Sequence, residues 1–403
     1  MTGDNAAPAG RVGTRRRTWR RVLVVTPVIG VVLLAVVLGG GGWYFAGQIR
    51  ADGLAVRHDR PEYNVTVVSY DGHMAKLREA RGQTRNDTLR SGYVYGLGWP
   101  GGSGVLGSIQ PGGSDGAVVR PLTVTTGTRP APDAPAELRR DVYGDPGSAY
   151  GVRFREVAYG CAGGSCPAWY VPGRSSTWAV LVHGWRAGRS EPLRALGPVL
   201  DAGLPALVIG YRNDEGAPGD PSGFYRFGAT EWRDLDSAVG YARAHGARHV
   251  VLVGVSMGGG IAAAFLERSA HAEAVTGLVL DAPLLDFQRT VDHGAAQREL
   301  PVVGGPIPGP LTWTAKTIAG WRYGIDWERI DYLDRDWLRV PALVFHGTAD
   351  PLVPVATSDA FRASHPHLVE EVRVEGAAHV ESWNAGPARY RSHVSAFLTR
   401  VGS

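Results

Sequence analysis

The sequence predicts an α/β domain with a mostly parallel sheet, carried behind a transmembrane helix and a small β-rich region. Three observations predict it. An uncharged apolar run lies near the amino terminus, a Gly-rich stretch without helical periodicity follows, and from about residue 150 short apolar runs alternate with helix-length amphipathic segments. With 403 residues, 44% hydrophobic and 20% charged, the chain can bury a sizeable core and divide into more than one domain, which excludes a disordered or fibrous class.

The amino terminus is basic. Arg11, Arg15, Arg16, Arg17, Arg20 and Arg21 stand against Asp4, so residues 1–21 carry +5 where the whole chain carries +4, leaving −1 for everything after them. A nucleic-acid surface would cluster basic residues on a folded domain, so no nucleic-acid partner is expected. Nearly all basic residues are Arg, with Lys only at 76 and 316, a compositional habit that carries no function. Next comes VLVVTPVIGVVLLAVVL, residues 22–38, and the uncharged stretch continues through Gly47. Roughly 20 apolar residues cross a bilayer. Residues 22–46 are therefore read as a transmembrane anchor, with 1–21 as a cytoplasmic tail and Trp43, Tyr44 and Phe45 as an interfacial belt. The bulk of the chain then lies on the extracytoplasmic side of a cell membrane crossed once. A cleaved signal peptide has the same layout, and RRTW faintly resembles a twin-arginine signal; the length of the run and the lack of a clear small-x-small cleavage site favour the uncleaved anchor.

Residues 50–140 are read as a β-rich accessory region that ends in a Pro-rich linker. YNVTVVSY and AVVRPLTVTT read as strands, and GLGWPGGSGVLGSIQPGGSDG is too Gly-rich for a helix. TRPAPDAPAE, residues 128–137, reads as the linker. Cys161 and Cys166, in CAGGSC, are the only cysteines. A zinc site needs about four ligands and no second pair supplies them. A close pair in a Gly-rich turn on the oxidising side of a membrane suits a small-loop disulfide, with free thiols as the alternative.

Residues 150–403 carry the α/β texture. WAVLV (178–182), ALVIG (206–210), HVVLV (249–253), GLVL (277–280) and ALVF (342–345) have the continuous apolar character of buried parallel strands. Helices are expected at 190–202, 229–245, 257–270 and 387–400. In such sheets ligands bind beyond the carboxyl ends of the strands.

At one such end stands GVSMGGG, residues 254–260. Ser256 follows the HVVLV strand where the chain must turn sharply into a helix beginning near Met257. Gly254 and Gly258 supply small neighbours, and Gly259 and Gly260 let the helix approach the sheet. A Gly-rich turn with a serine cap would read the same way. Serine is a weak nucleophile, so catalysis demands a base and a group to orient it. HGTADPLVP places Asp350 in the loop after ALVF, and VEGAAHVESW places His379 in a loop after VEEVRV and before the last helix.

GxSxG, HGTADPLVP and GAAHVESW, in the order Ser, Asp, His, resemble the α/β-hydrolase fold across residues 150–400. The resemblance implies Ser256 as nucleophile, His379 as general base and then acid, and Asp350 as the residue that holds the imidazole. It also implies an oxyanion hole from the main-chain N–H groups of Met257 and of Trp185, in LVHGW. His183 in that motif is read as a packing residue, as is His346. Asp281, in DAP after GLVL, is the alternative acid, with Asp350 in the better context.

Residues 284–341 leave the strand–helix rhythm and are read as a small cap, with aromatics that pack it down or line a pocket for an acyl group. Arg212, Asp214, Glu215 and Arg226, in the loop 211–235, pair with each other or solvent, or meet a polar substrate end. No cofactor or metal is implied. The expected function is a membrane-anchored serine hydrolase that cleaves carboxylic esters, small-molecule ester or acyl substrates, through an acyl-enzyme intermediate on the extracytoplasmic side. A peptidase or acyltransferase of the same fold, or a tethered binding protein, is the alternative, and the oligomeric state is not legible.

Overall fold

The computed structural model describes residues 13–58, 61–113, 116–300 and 304–402, with side chains described from residue 29 onward. Residues 1–12 of the expected cytoplasmic tail lie outside the described residues. The span predicted at 22–46 falls within one helix, α1 (Gly13–Gln48), and an 18-residue window of the segment Ile29–Leu54 has a mean hydropathy of 1.9, so the segment is long and apolar enough to cross a membrane. Ile29, Leu33, Leu34 and Val36 on it are exposed. The chain divides into two compact units: residues through Asp52 with Arg298–Ile325, and Gly53–Gln297 with Asp326–Ser403.

The second unit begins with a closed antiparallel barrel. Its strands are β1 (Val65–Tyr70), β2 (Met74–Glu79), β3 (Tyr95–Trp99), β4 (Gly102–Leu106), β5 (Val118–Gly127) and β6 (Ala134–Arg139), in the order β1-β2-β5-β4-β3-β6, with the short helix α2 (Asp87–Arg90) between β2 and β3. Closure leaves no unpaired edge. Val65, Val67, Leu77, Leu97, Leu106 and Leu122 fill the interior. The glycines that hid β3 and β4 from a pattern search have a steric purpose. A Cβ on Gly104 would lie 2.5 Å from the Thr123 carbonyl oxygen, and Gly101, at φ 90°, turns the chain between the two strands. Residues 134–137, expected in the linker, instead belong to β6, which closes the barrel by pairing with β1 and β3. Proline is tolerated near the start of a strand, which is where Pro135 stands.

After α3 (Pro146–Tyr150), an eight-stranded sheet follows, in the order β14-β13-β12-β11-β9-β10-β8-β7. The hairpin β7 (Arg155–Cys161) and β8 (Gly164–Val171) is antiparallel, and the Cys161–Cys166 disulfide lies across its turn. The strands β9 (Thr177–Val182), β10 (Ala206–Ile209), β11 (His249–Val255), β12 (Val275–Asp281), β13 (Ala342–Gly347) and β14 (Val369–Val374) run parallel. Every residue of β9, β10 and β13 is buried, as sheets covered on both faces require. The helices are α4 (Leu196–Asp201), α5 (Trp232–Ala244), α6 (Met257–Arg268), α7 (Phe287–Gln297), α8 (Gly309–Tyr323), α9 (Ala356–Ser364), α10 (Ser382–Ala385) and α11 (Pro387–Val401). Within the stretch expected to form a cap, 284–341, residues Arg298–Ile325 group with α1 and the rest with the sheet.

One buried cation organises the barrel. Arg120 donates to the carbonyls of Gly107 (2.8 Å), Leu89 (3.1 Å) and Tyr93, and burial pushes its pKa down to about 10. Replacing it orphans those acceptors, at about 1–3 kcal/mol for an unsatisfied buried group. Arg120→Met should lower the unfolding free energy by about 2–3 kcal/mol in urea titration; an unchanged midpoint would refute this account of the barrel.

Candidate active site

The site forms where β11, β13 and β14 end. Ser256 follows β11 with φ 49° and ψ −115°, a conformation costly for a residue with a Cβ. Its main-chain N–H donates to the Asp281 carbonyl at 2.9 Å and its own carbonyl accepts from Leu284 at 2.9 Å, so β12 and the loop after it hold the strained turn on both sides. Gly258 lets α6 come down on the sheet, since a Cβ there would lie 2.4 Å from the Val182 carbonyl oxygen.

Ser256, His379 and Asp350, the residues of the expected triad, are brought together although 123 and 29 positions separate the successive pairs. His379 Nδ1 lies 2.7 Å from Asp350 Oδ2, and its Nε2 lies 2.9 Å from Ser256 Oγ. A carboxylate accepts only, so Nδ1 carries the proton, and Nε2 is left to accept from the hydroxyl. Asp350 is buried, which opposes its charge, yet hydrogen bonds from His346 and His379 outweigh burial and hold its pKa well below the usual carboxylate range. Its other oxygen accepts from the N–H groups of Leu352 (2.8 Å) and Val353 (2.9 Å). His346 braces this acid, with Nε2 3.2 Å from Asp350 Oδ2 and 3.0 Å from the Val353 carbonyl, and Nδ1 2.7 Å from Ser358 Oγ. Asp281 is buried at the end of β12 with Oδ1 unpaired, and burial raises its pKa. No described hydrogen bond joins its carboxylate to His379.

The loop after β9 runs beside the hydroxyl. A Cβ on Gly184 would lie 3.0 Å from Ser256 Cβ, which puts the neighbouring Trp185 next to the site. Met257 opens α6, where the first N–H groups have no intrahelical acceptor. The Gly184 N–H donates to buried Glu191 at 2.6 Å. His183 stacks on Tyr211, and its two ring nitrogens face acceptors, Gly184 O at 2.9 Å and Asp214 Oδ2 at 2.7 Å, so both carry protons. Burial opposes that charge, but Asp214 overrides it and the pKa rises.

A set of polar residues without any motif holds the loop of His379. Arg194 is buried and donates to the Val380 carbonyl (2.7 Å), Asn384 Oδ1 (2.8 Å) and the Glu191 carbonyl (3.1 Å), so it ties this loop to the segment that locks Gly184. Arg140, next after β6, donates to the His379 carbonyl at 2.9 Å. Asn384 donates to the carbonyls of Val94 (2.7 Å) and Arg140 (3.0 Å), and Tyr95 donates to Glu381 at 3.0 Å. The barrel thus grips the histidine loop directly. None of these residues repeats at a readable spacing, and only their three-dimensional pairing reveals them.

The polar loop 211–235 is largely committed to structure. Arg212 pairs with Asp234 (2.6 Å) and Asp220 (3.2 Å), and Asp214 with His183. Glu215 lines a polar cavity of about 420 Å3 together with Arg57, Arg189 and residues 186–188, immediately after Trp185.

Two measurements test this account. Arg140→Leu should slow labelling of Ser256 by a fluorophosphonate about tenfold, because it loosens the imidazole that faces the hydroxyl; an unchanged labelling rate would refute this role. His183 has a raised folded pKa, so its contribution to stability is complete below its ordinary value of 6.5 and is lost as pH rises through the folded pKa. The difference in unfolding free energy between the native chain and His183→Gln should therefore be largest near the acid end and shrink with rising pH; growth with pH would contradict the ion pair.

A family model described as serine aminopeptidase, S33, matches residues 215–319, a minority of the chain that contains the Ser256 turn. No curated protein matches the chain. Among solved structures, an esterase from Pyrococcus furiosus aligns at 19% identity over 65% of this chain and 95% of that one, with a TM-score of 0.50. An esterase domain from Rhodothermus marinus aligns at 19% identity over 62% and 100%, with a TM-score of 0.41. An esterase from Thermogutta terrifontis aligns at 16% identity over 62% and 100%, with a TM-score of 0.42. The first of these likenesses carries the fold, which agrees with the parallel sheet and with Ser256 at the end of β11. By the first of these likenesses and by its own strand order, the chain has the α/β-hydrolase fold.

Proposed function

We propose that the chain is a serine hydrolase that cleaves carboxylic esters through an acyl-enzyme intermediate, held by α1 in a cell membrane with its sheet domain on the extracytoplasmic side. The observation that carries the chemistry is the relay of Ser256 Oγ, His379 and Asp350, at 2.9 and 2.7 Å. His379 Nε2 takes the hydroxyl proton as Oγ attacks the acyl carbon. The Met257 and Trp185 N–H groups stabilise the resulting alkoxide, and the protonated imidazole then returns its proton to the leaving alcohol. Water repeats the cycle on the acyl-enzyme and frees the acid. Asp350, held as a carboxylate by His346 and two main-chain N–H groups, stabilises the imidazolium in both halves.

The ester reading is supported by the absence of a propeller or other large gating domain among the described residues, where a six-stranded barrel precedes the sheet. The serine aminopeptidase match favours an amide as the second reading, and an acyltransferase would share every step but the last acceptor. The exposed apolar side chains of α1 support the anchor, and the Cys161–Cys166 disulfide supports an oxidising compartment.

Ser256→Ala should remove turnover by about 10⁴-fold or more without loss of folding, since triad members act as a unit. Asp350→Asn should cost about as much and Asp281→Asn little; the reverse pattern would move the acid to β12. p-Nitrophenyl esters of graded length tested against aminoacyl amides decide the substrate class, and faster amide cleavage would overturn the ester reading. Protease added to cells with a permeable wall should digest the sheet domain and spare a tag at residue 1; protection of that domain would overturn the topology.

A further inference from the structure

We infer that α8 is a second membrane contact, an interfacial helix whose Trp313 and Trp321 enter the headgroup region of an anionic bilayer beside the span. This rests on the reading of α1 as the anchor. Pro310, Trp313, Thr317 and Trp321 are all exposed and recur at three- and four-residue steps, so they share one face of α8. Trp313 is 67% and Trp321 78% exposed, more than any other large hydrophobic side chain among the described residues. Two bare indoles on one helical face have no aqueous purpose, whereas the amphipathic indole ring is suited to the boundary between headgroups and acyl chains.

The bilayer is chosen as occupant because of what lies against the other side of α8. The helix packs on α1 through glycines: a Cβ on Gly42 would lie 2.6 Å from Thr314 Cγ2, and one on Gly41 would lie 2.9 Å from Leu311 Cδ1. Small residues that admit a neighbouring helix this closely are how helices associate in lipid. The contact is at the end of the apolar run, where Trp43 and Tyr44 are exposed and the Arg322 guanidinium sits 3.6 Å from the centre of the Trp43 ring. The helix that carries Trp313 and Trp321 therefore packs beside Trp43, at the end of the apolar run. Charge agrees: residues 304–324 contain no Asp or Glu, Lys316 is buried, and the one exposed charged side chain is the cationic Arg322, which favours anionic lipid.

The sequence makes the test clean, because its two cysteines are joined to each other. A nitroxide is attached in separate full-length chains carrying Trp313→Cys, Trp321→Cys or Leu33→Cys, each reconstituted in phosphatidylcholine–phosphatidylglycerol vesicles. The expected result is collision with dissolved oxygen exceeding collision with an aqueous nickel chelate at 313 and 321, as at 33. Nickel access at 313 and 321 with position 33 in lipid would overturn the inference and leave the anchor standing. Aqueous behaviour at position 33 would overturn the anchor itself. Exclusion of both reagents at 313, with broadening between labels that vanishes on dilution with unlabelled chain, would assign the face to a second copy and also overturn it. In otherwise unaltered protein, brominated lipid should quench tryptophan emission, and part of that quenching should be lost in the Trp313→Phe/Trp321→Phe chain; undiminished quenching would count against the inference.

Discussion

The backbone of Ser256 is the constraint on which the rest of the site depends. A φ of 49° at a non-glycine residue persists only where the surroundings leave no alternative. Here they are supplied by hydrogen bonds from both sides of the turn and by the descent of α6 onto glycine. Ala282, after Asp281, and Val380, after His379, also have positive φ, and with Val255 they form one small buried apolar cluster. Three strand-end turns with unfavourable backbone geometry therefore lean on each other. The cost of each conformation is offset by packing that none of them could have alone, and the side chains they present cannot drift independently.

Around that cluster lies a layer of buried polar groups. Glu191 fixes Gly184, Arg194 joins Glu191 to Val380 and Asn384, and Asn384 reaches into the barrel at Val94. Buried polar groups are tolerated when paired, and paired groups are directional where apolar contacts are not. The division of labour is physical: the sheet supplies stability through buried Val and Leu, and the polar layer supplies angular definition to the imidazole and the loop after β9.

How legible this was in the sequence depended on the range of the interactions. The parallel strands β9 to β13 were plain because burial on both faces writes itself as an unbroken apolar run. Ser256, Asp350 and His379 were legible because each sits in a short motif at a strand end. The barrel was legible only as β-rich. Its β3 and β4 are built by close backbone approach through Gly96, Gly102 and Gly104, which leaves no alternating apolar pattern, and Pro135 disguised β6 as linker. Arg140 and Asn384 carried no signal at all, because their partners lie 239 and 290 residues away. The split of 298–325 from its flanks was equally hidden, since it arises from glycines in α1 that meet residues far along the chain.

The grip of the barrel on the histidine loop has a consequence for the order in which the molecule is made. Domains fold largely as they emerge, amino-terminal first. The barrel is finished early, but Val94 receives its partner Asn384 only when nearly the whole chain has been delivered. The Ser256 turn, the loop after β9 and their supporting strands can all be in place before then, yet the imidazole of His379 cannot be seated until the segment around Asn384 closes back on the first folded module. A chain that stops short of residue 384 therefore leaves the Ser256 hydroxyl without its seated imidazole partner.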